Sequence, residues 1–449
     1  MTMQVLKQTI DVRADGDSGF GRQALEARAR ANGEPDWLLG QRLEAWRLFR
    51  ETPWPEWPRT DISAIDWEMF ATGPTPAVSW TGKADFPEPL KHALLPAAER
   101  SGLLALHQGA TAYHELDSSV ADAGVHFSDL NRAVREAPAL VQDRVFRVVQ
   151  AAEGKLEALH TAFWHGGAFV YVPADVEVQL PLHVLHWAEA PRTALFPHTL
   201  IVAERGSRVT VVEEFLSPGA AEPALHVGAA EIWLADGADV TYLALQDWAD
   251  NVYHLGTQRA ILNRNATLNW TSAALGSHLS RLRTEVVLNG NGSSARLQGL
   301  YFPDGKQHVA QNTLQHHRAV GTTSDLLYKG ALTGQSRSVY QGLIRVDPGA
   351  QRTDAYQANR NLMLSRVARA DSMPQLEIEA DDVRCTHGAT VGQMDEDELF
   401  YLMSRGLNRE LATRLIVEGF FSPVLDRIPL ESMQNRLRQA VERKLGLEA

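Results

Sequence analysis

Cysteine is almost absent from this chain, since Cys385 is the only one among 449 residues. One thiol cannot form an internal disulfide, and such sparse cysteine usage fits a reducing compartment. No apolar run approaches the roughly 18 residues that a membrane-spanning helix needs. The first residues lack the basic, apolar and small-residue succession of a secretory signal. We therefore expect a cytoplasmic protein that does not enter a membrane.

Clusters of basic residues are also missing. The net charge is −12 at pH 7, whereas a nucleic-acid surface needs clustered Lys and Arg to replace counterions. No phosphate loop of the form G-x-x-x-x-G-K-S/T occurs, so any ATP that the protein depends on would be bound by another chain. We expect neither a nucleic-acid partner nor a nucleotide site.

The length points to several domains or to an elongated, repetitive one, because one compact core stops growing at roughly 250–300 residues. Three regions differ in hydrophobic period. Residues 1–155 are predicted to be mainly helical, and residues 156–380 alternate with the period of two that is typical of strands. Residues 381–449 are predicted to finish the strand region and then become helical.

The first region carries a helical apolar stripe that includes Leu39, Leu43 and Trp46. The proline-rich residues 52–58 end this pattern, because proline removes a backbone donor and restricts the residue before it. A further helix is expected over about residues 128–150, divided in two at Pro138.

The middle region repeats itself. A turn signal followed by alternation recurs at Gly206, Gly237, Asn265, Gly292, Thr323 and Gly349, in steps of roughly 25 to 32 residues, which is the range of repeat folds. Each unit would be one coil that buries its apolar face only against the next coil. A two-sheet sandwich is the alternative, but so many evenly spaced units favour a parallel β-helix.

The tail is predicted to contain three short helices. The first begins at Asp395 and ends at Gly406. The second runs from about residue 409 to 421 and is ended by Pro423. The third starts at Pro429. These helices could cap the solenoid or bind a partner, and the pattern does not choose between the two.

Familiar catalytic and binding motifs are weak here. The run Gly290–Ala295 matches G-x-G-x-x-A, but a strand follows it, so a plain β-turn is expected instead of a dinucleotide site. His183 and His186 should point to opposite faces of a strand, and neither they nor the pair His316 and His317 have zinc-site spacing. A β-helix enzyme acting on polysaccharide stays open as an alternative.

Cys385 and His387 form the most informative pair. They share one face of a predicted strand, with about 6.6 Å between them along it. A lone cysteine next to a core valine is more often a small packing residue, and a lone histidine is usually structural. If both side chains point to the same face, however, they present two ligands to one cavity. Packing and ligation therefore remain alternatives.

Three stretches around this pair carry a resemblance. Residues 375–392, 397–406 and 359–371 resemble the SufB/SufD family of iron–sulfur cluster assembly proteins. The likeness is densest over about residues 355–410. Within the family the chain is most similar to SufD, because the C-x-H-G-A-T form at 385–390 is SufD-like. SufB has a glutamate-containing version there, and it needs a further cysteine that this chain lacks.

The resemblance implies a mainly β protein, with a right-handed parallel β-helix flanked by N-terminal and C-terminal helical domains. It implies a non-catalytic scaffold subunit that pairs with a SufB-like paralogue near the C-terminal ends of the two solenoids. The chain alone could form a homodimer. A SufC-like ABC-type ATPase would bind the tail helix through a set of residues: Leu399, Phe400, Tyr401, Leu402, Arg405 and Gly406.

The resemblance also suggests roles for the pair. His387 matches the histidine that faces the SufB interface and is a candidate transient iron ligand, and Cys385 matches the neighbouring cysteine. No catalytic residue and no permanently bound cofactor are expected, only a transient iron–sulfur cluster or iron at the interface. A purely structural subunit with an inert pair is the remaining alternative.

Overall fold

The computed structural model describes residues 20–72 and 78–446. Within these ranges it contains ten α-helices, twenty β-strands and four single turns of 3₁₀ helix. The helices are α1 (Arg22–Asn32), α2 (Asp36–Glu51), α3 (Glu88–Ala93), α4 (Ser118–Asp122), α5 (Leu130–Glu136), α6 (Pro138–Val141), α7 (Lys155–Phe163), α8 (Glu396–Ser404), α9 (Arg409–Leu425) and α10 (Glu431–Lys444). The 3₁₀ turns are Trp67–Met69, Lys83–Asp85, Ala97–Glu99 and Ala151–Glu153.

The strands are shorter at the start of the chain and longer from the eighth onward. They are β1 (Gly102–His107), β2 (Ala110–Leu116), β3 (His126–Asp129), β4 (Ala168–Val172), β5 (Leu182–Trp187), β6 (Ala194–Leu195), β7 (His198–Ala203), β8 (Arg208–Leu216), β9 (Ala224–Leu234), β10 (Asp239–Asp247), β11 (Val252–Leu262), β12 (Thr267–Ala274), β13 (Leu279–Leu288), β14 (Ser294–Tyr301), β15 (His308–His317), β16 (Thr323–Leu332), β17 (Arg337–Val346), β18 (Asp354–Met363), β19 (Arg369–Ile378) and β20 (Arg384–Gln393).

These strands build two facing sheets. The first sheet has the order β2-β1-β5-β8-β10-β12-β14-β16-β18-β20, and the second has the order β19-β17-β15-β13-β11-β9-β7-β4-β3, with β6 beside β9. From β7 onward the chain alternates between the sheets and pairs in parallel with the coil before. The fold is therefore a parallel β-solenoid of about 8 turns with helices before and after it, which confirms the predicted class.

A left-handed residue recurs at one corner of successive coils. Gly206, Gly237, Asn265 and Gly292 have φ angles of 65°, 69°, 55° and 71°. Gly and Asn adopt this conformation more easily than other residues, which explains the repeated turn signal in the sequence. Gly292 lies in a turn that leads into strand β14, so the stretch that resembled a dinucleotide motif is a plain turn, as predicted.

The core is a set of columns that run along the solenoid axis. Register pairs Val240 with Leu268, Leu268 with Ala295, and Ala295 with Ser324 in successive parallel strands. All four side chains are buried. Because each coil places the same strand position over the one before, the apolar alternation in the sequence becomes a continuous interior.

Helices cover the outer faces of both sheets. Trp46 and Phe49 on α2 pack with Phe163 on α7 over the second sheet. On the other side, Phe421 on α9 and Leu437 on α10 pack against the first sheet. The helical regions thus bury the outward apolar residues of the middle coils.

The first region differs from the expectation in two ways. Strands β1, β2 and β3 lie before residue 156 and extend the two sheets, which the sequence analysis did not foresee. In α2 the buried face contains Leu38 and Phe49 together with Trp46, while Leu39 and Leu43 are only half-buried. The stripe was therefore placed about one residue off.

Helix α9 also differs, because it continues through Pro423 to Leu425. The prediction that Pro423 ends the helix was wrong. Proline removes one intrahelical bond to the carbonyl four residues earlier, here that of Gly419. The Ser422 hydroxyl donates to this carbonyl at 3.1 Å, and the helix persists for its final turn.

Candidate functional site at the open end of the solenoid

The last coil is formed by β19 and β20, and each is the edge strand of its sheet. Both are ten residues long, and no described strand pairs with their outer edges. Inward positions of this coil expose apolar side chains, since Leu376 is 38% and Val391 is 49% exposed. Long unpaired edges with exposed apolar residues are what proteins normally avoid unless another chain covers them.

Cys385 and His387 lie on this coil as the last members of two interior columns. In register, Cys385 follows Ala355, and His387 follows Gln357. Ala355 and Gln357 are fully buried. Cys385 is half-buried and His387 is exposed, because no further coil covers them. The two side chains occupy alternate positions of β20, about 6.6 Å apart along the strand.

The thiol of Cys385 is held in its neutral form. It packs beside Val383 at the edge of a small cluster that contains Ile344 and Ala355. Burial raises the pKa of this thiol, and the carboxylate of Asp354 raises it further, against an opposing backbone hydrogen bond from Ala355. Only a thiolate is a strong nucleophile or metal ligand, so in the free chain Cys385 is not an activated group.

The His387 imidazole has no hydrogen-bond or ion-pair partner within residues 20–72 and 78–446. Across the same residues, no group of three or more His, Cys, Asp or Glu side chains is arranged to hold a metal ion. Iron in a tetrahedral sulfur site needs four ligands, and Cys385 and His387 could supply two at most. The remaining ligands would come from another molecule.

A polar network lies directly beneath the last coil. The Tyr301 hydroxyl donates to Asn361 Oδ1 at 2.6 Å, and Asn361 Nδ2 donates to Asn359 Oδ1 at 2.8 Å. Ser372 on β19 also donates to Asn359 Oδ1, at 2.8 Å. The sequence analysis missed this network, although two asparagines at alternate positions of a buried strand were a usable signal.

Helices α8 and α9 also expose five apolar side chains, which together we call the apolar patch: Phe400, Tyr401, Met403, Leu411 and Leu415. Phe400 is 73% exposed and Tyr401 is 56% exposed. The patch spans α8 and α9, which pack against each other. Sequence reasoning missed the two α9 leucines, because their helical spacing alone does not separate a buried face from an exposed one.

The remaining tail residues singled out in the sequence support this patch. Leu399 is buried and Leu402 is half-buried, so they hold α8 in place and present little surface to a partner. The Arg405 guanidinium lies 5.1 Å from the centre of the Tyr401 ring. Gly406 ends the helix with a φ of 97°, a conformation that favours glycine.

Both histidine pairs have structural partners: His316 bonds to Asp347 and His317 to Thr322. His183 bonds to Glu214 on the outer face of the first sheet, at 2.8 Å, and His186 bonds to Glu213 in the interior, at 2.7 Å. The two point to opposite faces, as predicted. Arg436 on α10 also pairs with Glu214 and so fastens the tail helices to a middle coil.

The fold and the last coil together define a class: a two-sheet parallel solenoid with an uncovered C-terminal coil and a helical tail. The SufBD core domain of the SUF system for FeS cluster assembly matches residues 186–420, and the SufBD N-terminal region matches residues 103–184. The chain therefore belongs to the SufBD family of iron–sulfur cluster assembly proteins. The polysaccharide alternative is set aside by this membership.

Similar proteins support the same assignment along almost the whole chain. An iron-sulfur cluster assembly SufBD family protein of Staphylococcus epidermidis is 30% identical over 444 residues, which is 96% of this chain and 95% of the relative. That of Staphylococcus saprophyticus is 30% identical over 424 residues, covering 92% and 91%. Among the described residues, none of the helices has the length and apolarity to cross a bilayer.

Proposed function

We propose that this chain is a SufD-like, non-catalytic scaffold subunit of an ATP-dependent iron–sulfur cluster assembly complex in the cytoplasm. It pairs with a SufB-like paralogue through the last coil, and the two subunits together form the assembly site. A separate SufC-like ABC-type ATPase binds the tail helices. The observation that carries the proposal is the uncovered last coil, where His387 is exposed at the end of an otherwise buried column.

The edges of β19 and β20 favour pairing with another solenoid. A paralogue with the same fold offers two edge strands at the matching positions, so both sheets can continue across the contact. The exposed side chains of Leu376 and Val391 become interior residues in that arrangement. Two copies of this chain offer the same edges, which supports a homodimer when the paralogue is missing.

The transient iron or cluster is the cargo of this site. A neutral His387 offers a ring nitrogen to iron, and Cys385 offers a second ligand only after it loses its proton. The partner supplies the remaining ligands and the cysteine that accepts sulfur. The cysteine content supports a SufD-like role, since Cys385 is the only thiol in the chain and its pKa is raised.

The apolar patch is the surface on which we place the ATPase. Phe400 and Tyr401 are exposed aromatic side chains, and aromatic residues are enriched at protein interfaces relative to the rest of the surface. Helices α9 and α10 are tied to middle coils, because Lys329 donates to the Phe420 carbonyl at 2.5 Å and Arg436 pairs with Glu214. A pull on the tail by ATP binding would therefore act on the solenoid itself.

Reconstitution with purified partners tests the proposal. The chain is co-expressed with a SufB-like paralogue and a SufC-like ATPase, and cluster formation is followed by absorbance after iron and sulfide donors are added. We expect His387→Ala to lower the cluster yield at least tenfold while the complex still assembles. His92→Ala, which changes an exposed histidine on α3, is the control. An unchanged yield for His387→Ala would remove this residue from the site and favour a purely structural subunit.

A further inference from the structure

Gln357 occupies the position one coil beneath His387. The two residues are register partners in the neighbouring parallel strands β18 and β20, which lie about 4.8 Å apart. Gln357 is fully buried. Its Nε2 donates to the Gly342 carbonyl of the opposite sheet at 3.2 Å, and this bond fixes which way the amide points. Its Oε1 has no hydrogen-bond partner among the described residues.

Along β20, His387 is the side chain that stacks over Gln357, and its imidazole can donate to this oxygen. Cys385 stacks over Ala355 and Ala389 stacks over Asn359, so neither lies directly above Gln357. Alanine has no side-chain donor, and a thiol is a weak one. The imidazole carries an N–H, and its two nitrogens have no partner in the part of the chain that the structure describes.

A histidine that binds a metal through one ring nitrogen usually donates its other N–H to a carbonyl or carboxylate oxygen. That second bond fixes the tautomer and the direction of the ring. Gln357 Oε1 is an amide oxygen of this kind, and it belongs to the side chain one coil beneath His387. The pairing therefore supplies what an isolated, exposed imidazole lacks.

We propose that Gln357 is a positioning residue for His387: its Oε1 accepts the ring N–H of His387 once a partner covers the last coil. The other ring nitrogen then presents its lone pair to the cargo at the interface. The inference rests on the proposed function, because it requires a partner at this end. It adds a residue to the site and states which protonation form of the imidazole the site uses.

The tautomer of His387 tests the inference directly. The chain is labelled with ¹⁵N-histidine and its imidazole nitrogens are observed by NMR, free and bound to an unlabelled SufB-like partner; the His387→Ala spectrum assigns the signals. We expect mixed tautomers in the free chain and a single tautomer in the complex. In Gln357→Leu the complex should keep the mixture.

Gln315→Leu is the matched control. Gln315 is also a buried interior amide whose Nε2 is bonded, to Ser324 and to the Tyr356 carbonyl, while its Oε1 has no partner. It lies in another column, which ends at Leu376. This variant should show the single tautomer of the unmodified complex. Gln357→Asn, which withdraws the amide by one methylene, gives a second variant should Gln357→Leu fold poorly.

The outcomes separate this inference from the proposed function. Mixed tautomers in the unmodified complex, or a single tautomer that survives both Gln357 variants, would overturn the positioning role even where His387→Ala abolishes cluster formation. With the role intact, Gln357→Leu should weaken iron binding by the complex about 10- to 100-fold, as for other residues that orient a ligand.

Discussion

The middle and the end of the solenoid give the same interior column opposite surroundings. Trp270 is 1% exposed in the middle of one column, and His387, further along it, is exposed. Their backbone positions are equivalent, since Trp270, Leu297, Leu326, Gln357 and His387 follow one another in register. A column position is therefore core or surface depending only on whether another coil follows it.

The two ends of the solenoid differ as well. At the start, β2 pairs antiparallel with β1 and the short β3 pairs antiparallel with β4. Such turned-back strands end a solenoid and protect its edges. At the other end, β19 and β20 remain long, parallel and uncovered. This asymmetry is what we would expect of a solenoid that continues into a second subunit at one end only.

The largest expected effect is a difference in unfolding free energy between a substitution in a middle coil and one in the last coil. Trp270→Ala removes a fully buried side chain and should lower the free energy of unfolding by about 4 kcal/mol. Val391→Ala, at an inward position of β20, should change it by less than about 0.5 kcal/mol. Urea unfolding of the free chain measures both. Equal losses would mean that the last coil is packed like the others.

The attachment of the tail to a middle coil should depend on pH. Burial alone would raise the pKa of Glu214, but the charge of Arg436 and the hydrogen bond from His183 outweigh it and lower the pKa to about 2. The folded pKa lies below the ordinary value of 4.5. The stabilisation is therefore present above about pH 4.5 and is lost as the pH falls toward 2.

Arg436→Met removes the partner of this buried carboxylate and should cost about 3 kcal/mol at neutral pH. Urea unfolding measured between neutral pH and about pH 3 should show a smaller loss in the variant than in the unmodified chain. Arg438→Met, which removes the exposed pair with Asp426 and two long hydrogen bonds to Gln434 and Asn435, should cost at most about 1 kcal/mol. The same pH profile in all three proteins would contradict the role of the Glu214 pair.

A charge on the last coil should block the partner without unfolding the chain. Val391→Asp places a carboxylate where the proposed interface excludes water, and should weaken binding of the SufB-like partner about 100-fold. Val78→Asp, at another exposed valine, is the control. Isothermal titration with the purified partner gives both affinities. Undiminished binding by Val391→Asp would move the interface away from this coil.

A substitution in the apolar patch should weaken binding of the ATPase and not of the SufB-like partner. Phe400→Ala removes the most exposed aromatic side chain of α8 and should weaken ATPase binding about tenfold. It should leave the affinity for the SufB-like partner unchanged, while Val391→Asp should leave ATPase binding unchanged. Titration of each variant with each partner checks both expectations. Loss of both partners in either variant would point to a general defect in folding.

The smallest expected effect concerns the reactivity of the Cys385 thiol. Because the pKa of Cys385 is raised by burial and by Asp354, less thiolate is present at neutral pH than in a free cysteine. Alkylation by iodoacetamide in the free chain should therefore be several times slower than in a short unstructured peptide. Asp354→Asn should speed the reaction slightly. A reaction faster than in the peptide would show an activated cysteine.

Much of the fold could be predicted from the sequence because one corner residue recurs in every coil. Gly237 and Gly292 mark the repeat, and the alternation after each one gives the inward face. The early strands β1 to β3 could not be predicted, because they are short and lie among helices without a repeat. Leu39 in α2 was predicted to lie on the buried face but is only half-buried. Which face of a helix packs against a sheet depends on tertiary contacts, and the pattern of a single sequence does not contain them.

The site was predictable in part for a related reason. Cys385 and His387 stood out because both are rare ligand types at alternate positions of one strand. Asn359 and Asn361 gave a usable signal in their alternation, but which groups they and Gln357 contact depends on the neighbouring coils. That information exists only once the register between strands is known.

The most direct measurement of the central claim is hydrogen exchange of backbone amides in the chain, free and with the SufB-like partner. We expect slower exchange over residues 369–378 and 384–393 in the complex, because both edge strands gain a neighbour. Exchange in β2, at the opposite end, should stay the same. Unchanged exchange in β19 and β20 with protection elsewhere would contradict a cluster site built on the last coil.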